Sequence, residues 1–123
     1  MTEVVRNRIG VNTYLAPQGS LGDSINLENL QQEVGRCFQA DETQLIIDLI
    51  KVPGINSRGL ELLVEWREQL LPKGGTITVV NANPVISDIL YITELDKYVK
   101  VLSREGLGDK APLEPARNLS KRL

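Results

Sequence analysis

Strand-like and helix-like patterns alternate along this sequence, and the alternation dictates its fold class. Short segments typical of β-strands, some apolar and some with alternating apolar residues, occur at residues 3–11, 13–16, 44–52, 76–82 and 98–103. Apolar residues recur at helical spacing near residues 26–39, 58–71 and 84–92. The order β-β-α-β-α-β-α-β predicts right-handed crossovers between parallel strands. We therefore expect an α/β fold, a mixed, mostly parallel sheet of four to five strands with helices packed against it.

The run at residues 44–52, "QLIIDLIKV", is almost continuously aliphatic. Such a run is typical of a strand at the centre of a parallel sheet, where both faces are buried. We therefore predict that residues 45–52 form the central strand. Asp48 interrupts the run, and a carboxylate there requires hydrogen-bond donors or a position near the end of the strand.

The segment "PQGSLGDS", residues 17–24, is rich in turn-forming residues and leads into the first helix. Ser24 and Asn26 are both candidates for the N-cap of that helix. Cys37 lies on the apolar stripe of the same helix. This placement favours a small core side chain over a reactive thiol.

Composition excludes several classes of function. The 123 residues contain no histidine and one cysteine, so the chain lacks an imidazole base, an internal disulfide and the ligand spacing of a metal site. A net charge of −2 provides no broad basic face for direct binding of nucleic acid. No apolar run approaches the ~20 residues that span a bilayer. We expect a cytoplasmic protein that is not an enzyme and needs no cofactor.

The length fits one domain with a single core. We expect this domain to occupy residues 1–105. Residues 106–123 carry glycine, proline and charge without periodicity, which is typical of a flexible C-terminal tail.

The junction "KVPGINSRGLELL" places a serine and a glycine where a strand-like run passes into a helix. Three interpretations of Ser57 follow from this position: a helix cap, a catalytic nucleophile or the site of a covalent switch. Nucleophilic chemistry requires a base that takes the proton, and the chain has no histidine to supply one. Asn56 and Ser57 are both preferred N-cap residues, and the pattern leaves open which of them caps the helix.

Four segments in register resemble the STAS domain, the fold of bacterial anti-sigma factor antagonists, from about Val4 to Glu105. They are the strand "LIIDLIKV", the step Ser-x-Gly-Leu into a helix, "LLPKGGTITVVNANPVISDIL" and "ITELDKYVKVLS". The resemblance implies the STAS fold and a function in protein–protein binding.

At the junction, the family pattern is Asp-Ser-(Ser/Thr)-Gly-Leu, and the serine is phosphorylated by a partner kinase. Ser57 matches that serine, and Gly59 and Leu60 match the glycine and the leucine. Three positions depart from the pattern, with Asn56 in place of the aspartate, Arg58 in place of the second hydroxyl residue, and Glu94 in place of a glycine.

The resemblance implies partner switching by an anti-sigma factor antagonist. The unphosphorylated protein would bind an anti-sigma factor, a serine kinase of the histidine-kinase-like ATPase type, and so free the sigma factor. Phosphorylation of Ser57 would release the kinase, and a phosphatase is a further expected partner. The expected contact residues are Ser20, Asp23, Asn56, Ser57, Arg58, Gly59, Glu61 and Leu62, where Gly59 would leave room for a partner to approach the backbone.

A second function is compatible with the same resemblance. STAS-like domains also serve as scaffold subunits of stress-sensing complexes or transport machines, without phosphorylation. The departures at Asn56 and Arg58 favour this alternative.

Leu62 and Trp66 are four residues apart and share one edge of the second predicted helix. One interpretation is that they extend the core. The other is that they form a partly exposed hydrophobic contact for a partner beside Ser57.

Overall fold

A five-stranded sheet is the framework of the computed structural model, which describes residues 4–102. The strands are β1 (Val4–Ile9), β2 (Asn12–Pro17), β3 (Gln44–Asp48), β4 (Thr76–Val80) and β5 (Lys100–Leu102). They lie side by side in the order of the sequence. β1 and β2 form an antiparallel hairpin, and the other three pairings are parallel. The predicted α/β fold with a mixed, mostly parallel sheet is confirmed.

Three α-helices connect the parallel strands: α1 (Ser24–Gln39), α2 (Ser57–Leu70) and α3 (Pro84–Ile92). Each begins and ends within two residues of its prediction. The N-cap of α1, however, is neither Ser24 nor Asn26. Asp23 has extended backbone angles, and its carboxylate accepts a hydrogen bond from the backbone N–H of Ile25 at 3.0 Å. The side chain of Asn26 instead donates to the carbonyl oxygen of Ser20 at 2.8 Å.

β3 is the third of the five strands, so its central position is confirmed, but it is shorter than predicted. The strand ends at Asp48 because the carboxylate of that residue accepts a hydrogen bond from the N–H of Ile50 at 3.0 Å. This contact turns the chain, and the N–H of Val52 then donates to the carbonyl oxygen of Leu49 at 3.0 Å. Residues 49–52 are therefore a turn. Leu49 and Val52 still contribute to the core.

All three helices share one core with a single face of the sheet. The strand side chains of this core are Leu15, Leu45, Ile47, Ile77 and Val79, which the register places on the same face. The opposite face, with Tyr14, Ile46 and Thr78, is half-buried. The expectation that β3 is buried on both faces is therefore wrong, because no helix of the described residues belongs to a core on that side.

Cys37 lies on the buried side of α1 with no exposed surface. Burial raises the pKa of its thiol to about 11. The predicted core position is confirmed.

Between residues 4 and 102, no helix is long and apolar enough to cross a membrane. The last strand begins at Lys100, two residues later than predicted. The C-terminal tail predicted for residues 106–123 lies outside the described residues.

Candidate functional site

The carboxyl ends of β3 and β4 anchor the loop that carries the serine junction. Asn81, directly after β4, donates from its side chain to the carboxylate of Asp48 at 2.9 Å. Asn83 caps α3 by accepting from the N–H of Ile86 at 2.8 Å, and its amide group donates to the carbonyl oxygen of Pro53 at 3.1 Å. These contacts tie the loop between β3 and α2 to the neighbouring β4–α3 connection.

A second loop, residues 18–23, runs parallel to the junction and is hydrogen-bonded to it. The N–H of Gly19 donates to the carbonyl oxygen of Lys51 at 3.0 Å, and that of Leu21 donates to Gly54 at 2.8 Å. The side-chain amide of Asn56 reaches back to the carbonyl oxygen of Gly22 at 3.4 Å. The loop that carries Ser20 and Asp23 is thus brought beside the junction.

Inside this loop, the hydroxyl of Ser20 accepts a hydrogen bond from the N–H of Gly22 at 3.0 Å. Asp23 is engaged in capping α1. Both polar side chains therefore hold the loop in its conformation.

Asn56, rather than Ser57, caps α2. Its side-chain oxygen accepts a hydrogen bond from the N–H of Gly59 at 3.0 Å, and its backbone is extended, as an N-cap requires. Its carbonyl oxygen accepts from the N–H of Leu60 at 3.1 Å. The open question of which residue forms the cap is settled in favour of Asn56.

Ser57 is the first residue of α2, and its side chain is exposed. Within residues 4–102 its hydroxyl has no hydrogen-bond partner. The first N–H groups of a helix have no intrahelical acceptor, and the helix dipole is positive at this end. A neutral hydroxyl is therefore presented to solvent at a position that also suits a negative charge.

Arg58 follows Ser57 in the first turn and is exposed. Its Nη1 atom lies 3.2 Å from a carboxylate oxygen of Glu61 and 3.0 Å from one of Glu65. The hydrogen bond to Glu65, followed by that to Glu61, raises the pKa of the guanidinium above its ordinary value. Its side chain therefore extends along α2, away from the positive end of the helix.

Gly59 faces the interior of the protein, which corrects its predicted role as an opening for a partner. A Cβ atom at this position would lie 2.6 Å from Cγ1 of Ile55 and 3.2 Å from the carbonyl oxygen of Leu21. The glycine therefore lets the first turn of α2 pack tightly against the two loops. It contributes to a contact surface only by fixing the position of Ser57.

Leu62 and Trp66 belong to the core, with 1% and 4% of their surface exposed. The predicted contact between Leu62 and a partner is therefore wrong, because its side chain is enclosed between α2 and the sheet. Glu61, one residue earlier, is exposed. Of the predicted contact residues on α2, the side chains that reach solvent are those of Ser57, Arg58 and Glu61.

Sequence reasoning missed the part that Asn81 plays in this site. Asn81 has a φ angle of 61°, a left-handed conformation that asparagine tolerates better than most residues. An asparagine directly after a buried parallel strand, at the edge where Asp48 also ends a strand, was the signal that could have revealed the contact.

The family follows from a comparison of the sequence with families of known proteins. Residues 4–107 match the STAS domain. The chain belongs to the STAS domain family. A search of curated proteins found no match.

Solved structures similar to this STAS domain share its fold. An anti-sigma factor antagonist from Mycobacterium paratuberculosis is 24% identical, with a TM-score of 0.72 over 82% of this chain and 85% of that chain. A putative anti-sigma factor antagonist from Thermotoga maritima is 22% identical, with a TM-score of 0.68 over 80% and 84%. The Bacillus cell fate determinant SpoIIAA in its phosphorylated form is 16% identical, with a TM-score of 0.65 over 87% and 97%.

The chemistry available at the junction is that of an accessible hydroxyl, an exposed cation and free helix amides. In the part of the chain that the structure describes, no three His, Cys, Asp or Glu side chains are grouped so that they could hold a metal ion. The arrangement can accept a phosphoryl group and can present a surface to another protein.

Proposed function

We propose that this STAS protein is an anti-sigma factor antagonist that acts by partner switching under the control of phosphorylation at Ser57. The observation that carries the proposal is the exposed hydroxyl of Ser57, without a partner among the described residues, at the first position of α2. The comparisons support it, since similar folds include anti-sigma factor antagonists and a SpoIIAA that has been solved in a phosphorylated form.

The chemical step is a phosphoryl transfer from ATP bound to the partner kinase. The Oγ atom of Ser57 attacks the γ-phosphorus, a new O–P bond forms, and the bond between the γ-phosphorus and ADP breaks. The hydroxyl proton passes to a base of the kinase, since this chain has no histidine. The STAS protein is the substrate of this step and supplies the positioned hydroxyl.

The phosphate changes binding without requiring a change of fold. It adds about 1.5 to 2 negative charges beside free backbone amides, which the helix N-terminus accommodates. A partner surface that fits the neutral hydroxyl would meet this charge directly, and like charges placed together in an interface cost several kcal/mol. The unphosphorylated form is therefore the form that binds the anti-sigma factor kinase.

The partner surface proposed here combines the junction with the adjoining loop. Arg58 and Glu61 contribute exposed side chains on α2, and Ser20 and Asp23 lie in the loop that is hydrogen-bonded to the junction. Asn56 contributes by holding the first turn of the helix in place. Binding to nucleic acid is not part of this function.

The test is phosphotransfer from purified serine kinases of the histidine-kinase-like ATPase type encoded in the same genome. Mass spectrometry should find one phosphate, on Ser57, and Ser57→Ala should abolish it. Ser24 provides a matched control, because it is the exposed first residue of α1 and follows an Asx cap in the same way. Ser24→Ala should leave phosphorylation unchanged.

Binding of the same kinase to the variants completes the test. Ser57→Ala should bind like the unmodified protein, and Ser57→Asp should fold normally but bind more weakly. Phosphate on another residue, or equal binding by both variants, would refute the switch. Kinase binding that never leads to phosphate would favour the non-phosphorylated scaffold function instead.

A further inference from the structure

We propose that a phosphate on Ser57 takes the guanidinium of Arg58 away from Glu61 and Glu65, so that phosphorylation rearranges the ion pairs of α2. This inference rests on the proposed function, because it concerns the phosphorylated form of the same serine. It gives Arg58, which replaces the hydroxyl residue of the family pattern, a positioning role in the switch.

The present contacts of Arg58 leave most of its hydrogen-bonding capacity unused. Both of its ion pairs are made through the same atom, Nη1. Among the described residues, no group accepts a hydrogen bond from its Nη2 or Nε atoms. A guanidinium has five N–H donors and binds phosphate best through two parallel hydrogen bonds. Arg58 therefore keeps a free edge of the kind that a phosphate binds.

The existing ion pairs are also easy to break. The side chains of Arg58, Glu61 and Glu65 are exposed by 48%, 62% and 49%. Pairs as exposed as these contribute little to stability and are screened by salt. The phosphate carries nearly twice the charge of a carboxylate and lies beside Arg58 in sequence.

Geometry requires the Arg58 side chain to change direction. Consecutive helix residues point about 100° apart, so a straight side chain would not meet a phosphate on its neighbour. Arg58 now extends toward Glu65, two turns along α2. It has to fold back across the first turn, which its long side chain can do without a change in the backbone. The negative charge of the phosphate there offsets the unfavourable position of a cation at the helix N-terminus.

The consequence is that the change in surface charge extends beyond the position of the phosphate itself. Once Arg58 has moved, the carboxylates of Glu61 and Glu65 lose their cation. The phosphate then alters the surface along two turns of α2. A partner that used the free edge of Arg58 would lose that contact as well.

The test uses the 123-residue chain with phosphoserine incorporated at position 57 during translation, so it does not depend on any kinase. Phosphorus NMR measures the second pKa of the phosphate, which is ordinarily about 6. We expect Arg58→Ser to raise this pKa by about 0.3–0.7 pH unit relative to the phosphorylated parent, the size of an exposed ion pair. Arg58→Lys should restore part of the difference.

A second measurement follows Arg58 itself. Its side-chain Nε–H signal should shift on phosphorylation. The double variant Glu61→Gln/Glu65→Gln should lower the phosphate pKa below that of the phosphorylated parent, because it removes the competing carboxylates. Arg36→Gln is the matched control, because Arg36 is an exposed helix arginine paired with Glu33 on α1. It should leave the phosphate pKa unchanged.

An equal phosphate pKa in the parent and in Arg58→Ser, or an Nε–H signal that does not respond to the phosphate, would overturn this inference. Either result would leave phosphorylation of Ser57 untouched. Conversely, failure of every kinase to phosphorylate Ser57 would refute the proposed function but not the ion-pair rearrangement, since here the phosphate is built in.

Discussion

Replacing Gly59 by alanine would test whether tight packing positions the first turn of α2. A Cβ at this position would lie 2.6 Å from Cγ1 and 3.0 Å from Cδ1 of Ile55, and 3.2 Å from the carbonyl oxygen of Leu21. Cγ1 is the atom next to the branch point of Ile55, so it cannot move far unless the side chain changes rotamer. The oxygen of Leu21 belongs to a loop backbone that pairs with the junction. Relief of the clash therefore requires α2 or the loop to shift.

Two effects determine the change in the free energy of unfolding. Overpacking of a buried position costs about 1–3 kcal/mol, of which an off-rotamer isoleucine accounts for about 0.5–1.5 kcal/mol. Alanine gains at most about 1 kcal/mol over glycine in a helix. The net expectation for Gly59→Ala is a loss of about 0–2 kcal/mol. Gly35→Ala, within α1, places its Cβ where no atom lies within 4 Å, so only the gain of about 0.5–1 kcal/mol remains.

Urea unfolding followed by circular dichroism measures both variants against the parent. The two substitutions are chemically identical and both lie in helices, so opposite signs of the stability change would be due to packing. If Gly59→Ala proved as stable as Gly35→Ala, the close contact with Ile55 and Leu21 would not position α2.

Further substitutions and treatments have expected outcomes. Because Asn56 forms the cap of α2, Asn56→Ala should lose about 1 kcal/mol of stability in urea unfolding. Ser57→Ala should lose less than about 0.5 kcal/mol, and the reverse order would assign the cap to Ser57. Glu94→Gly should raise stability by about 0.5–1 kcal/mol, because Glu94 has a φ angle of 63°, and a lower urea midpoint would contradict this. Alkylation of Cys37 at pH 8 should be at least ~100-fold slower in native protein than in urea, because burial raises the pKa of the thiol from 9.0 to about 11. Equal rates in the two conditions would show that the thiol is accessible. Since the unfolded chain loses this proton first, stability should also fall as pH rises from 9.0 to about 11.

The elements of the fold could be predicted because their signals are local. Apolar periodicity located all three helices, and the alternation of strands and helices implied parallel pairing. The end of β3 could not be read in the same way. Residues 49–52 are apolar enough to resemble a strand, but the hydrogen bond from Ile50 to the carboxylate of Asp48 ends the strand earlier. This one hydrogen bond therefore determines where β3 ends, although the apolar pattern continues.

The sequence predicted which segments form the candidate site but not which way their side chains face. The turn-rich segment and the serine junction pointed to the two loops that the structure brings together. Whether a residue faced solvent or the core depended on the packing of α2, and this determined the outcome for Gly59 and Leu62. A glycine in a first turn has the same sequence signature whether a partner or its own chain lies against it.

Glu94 illustrates a departure from the family pattern that concerns the backbone. The family pattern that the sequence resembles has a glycine at this position, and Glu94 adopts a left-handed conformation before a short 3-10 turn at Leu95–Lys97. Glycine adopts this conformation without strain, and glutamate does not. Its exposed ion pair with Lys97 at 3.4 Å compensates little. This departure therefore affects stability and lies away from the serine junction.

The departures at Asn56 and Arg58, in contrast, change the surface charge and not the backbone. Asparagine caps α2 with a side-chain oxygen, as an aspartate does at Asp23 on α1, so its geometry supports the same helix start. Arg58 is exposed, and its ion pairs among the described residues are with side chains of its own helix. Together they make the surface beside Ser57 about two charges more positive than the family pattern while the fold remains the same. The side chains that a partner would meet beside Ser57 are therefore ones that the fold does not constrain. The kinase assay and the phosphate titration address those residues directly.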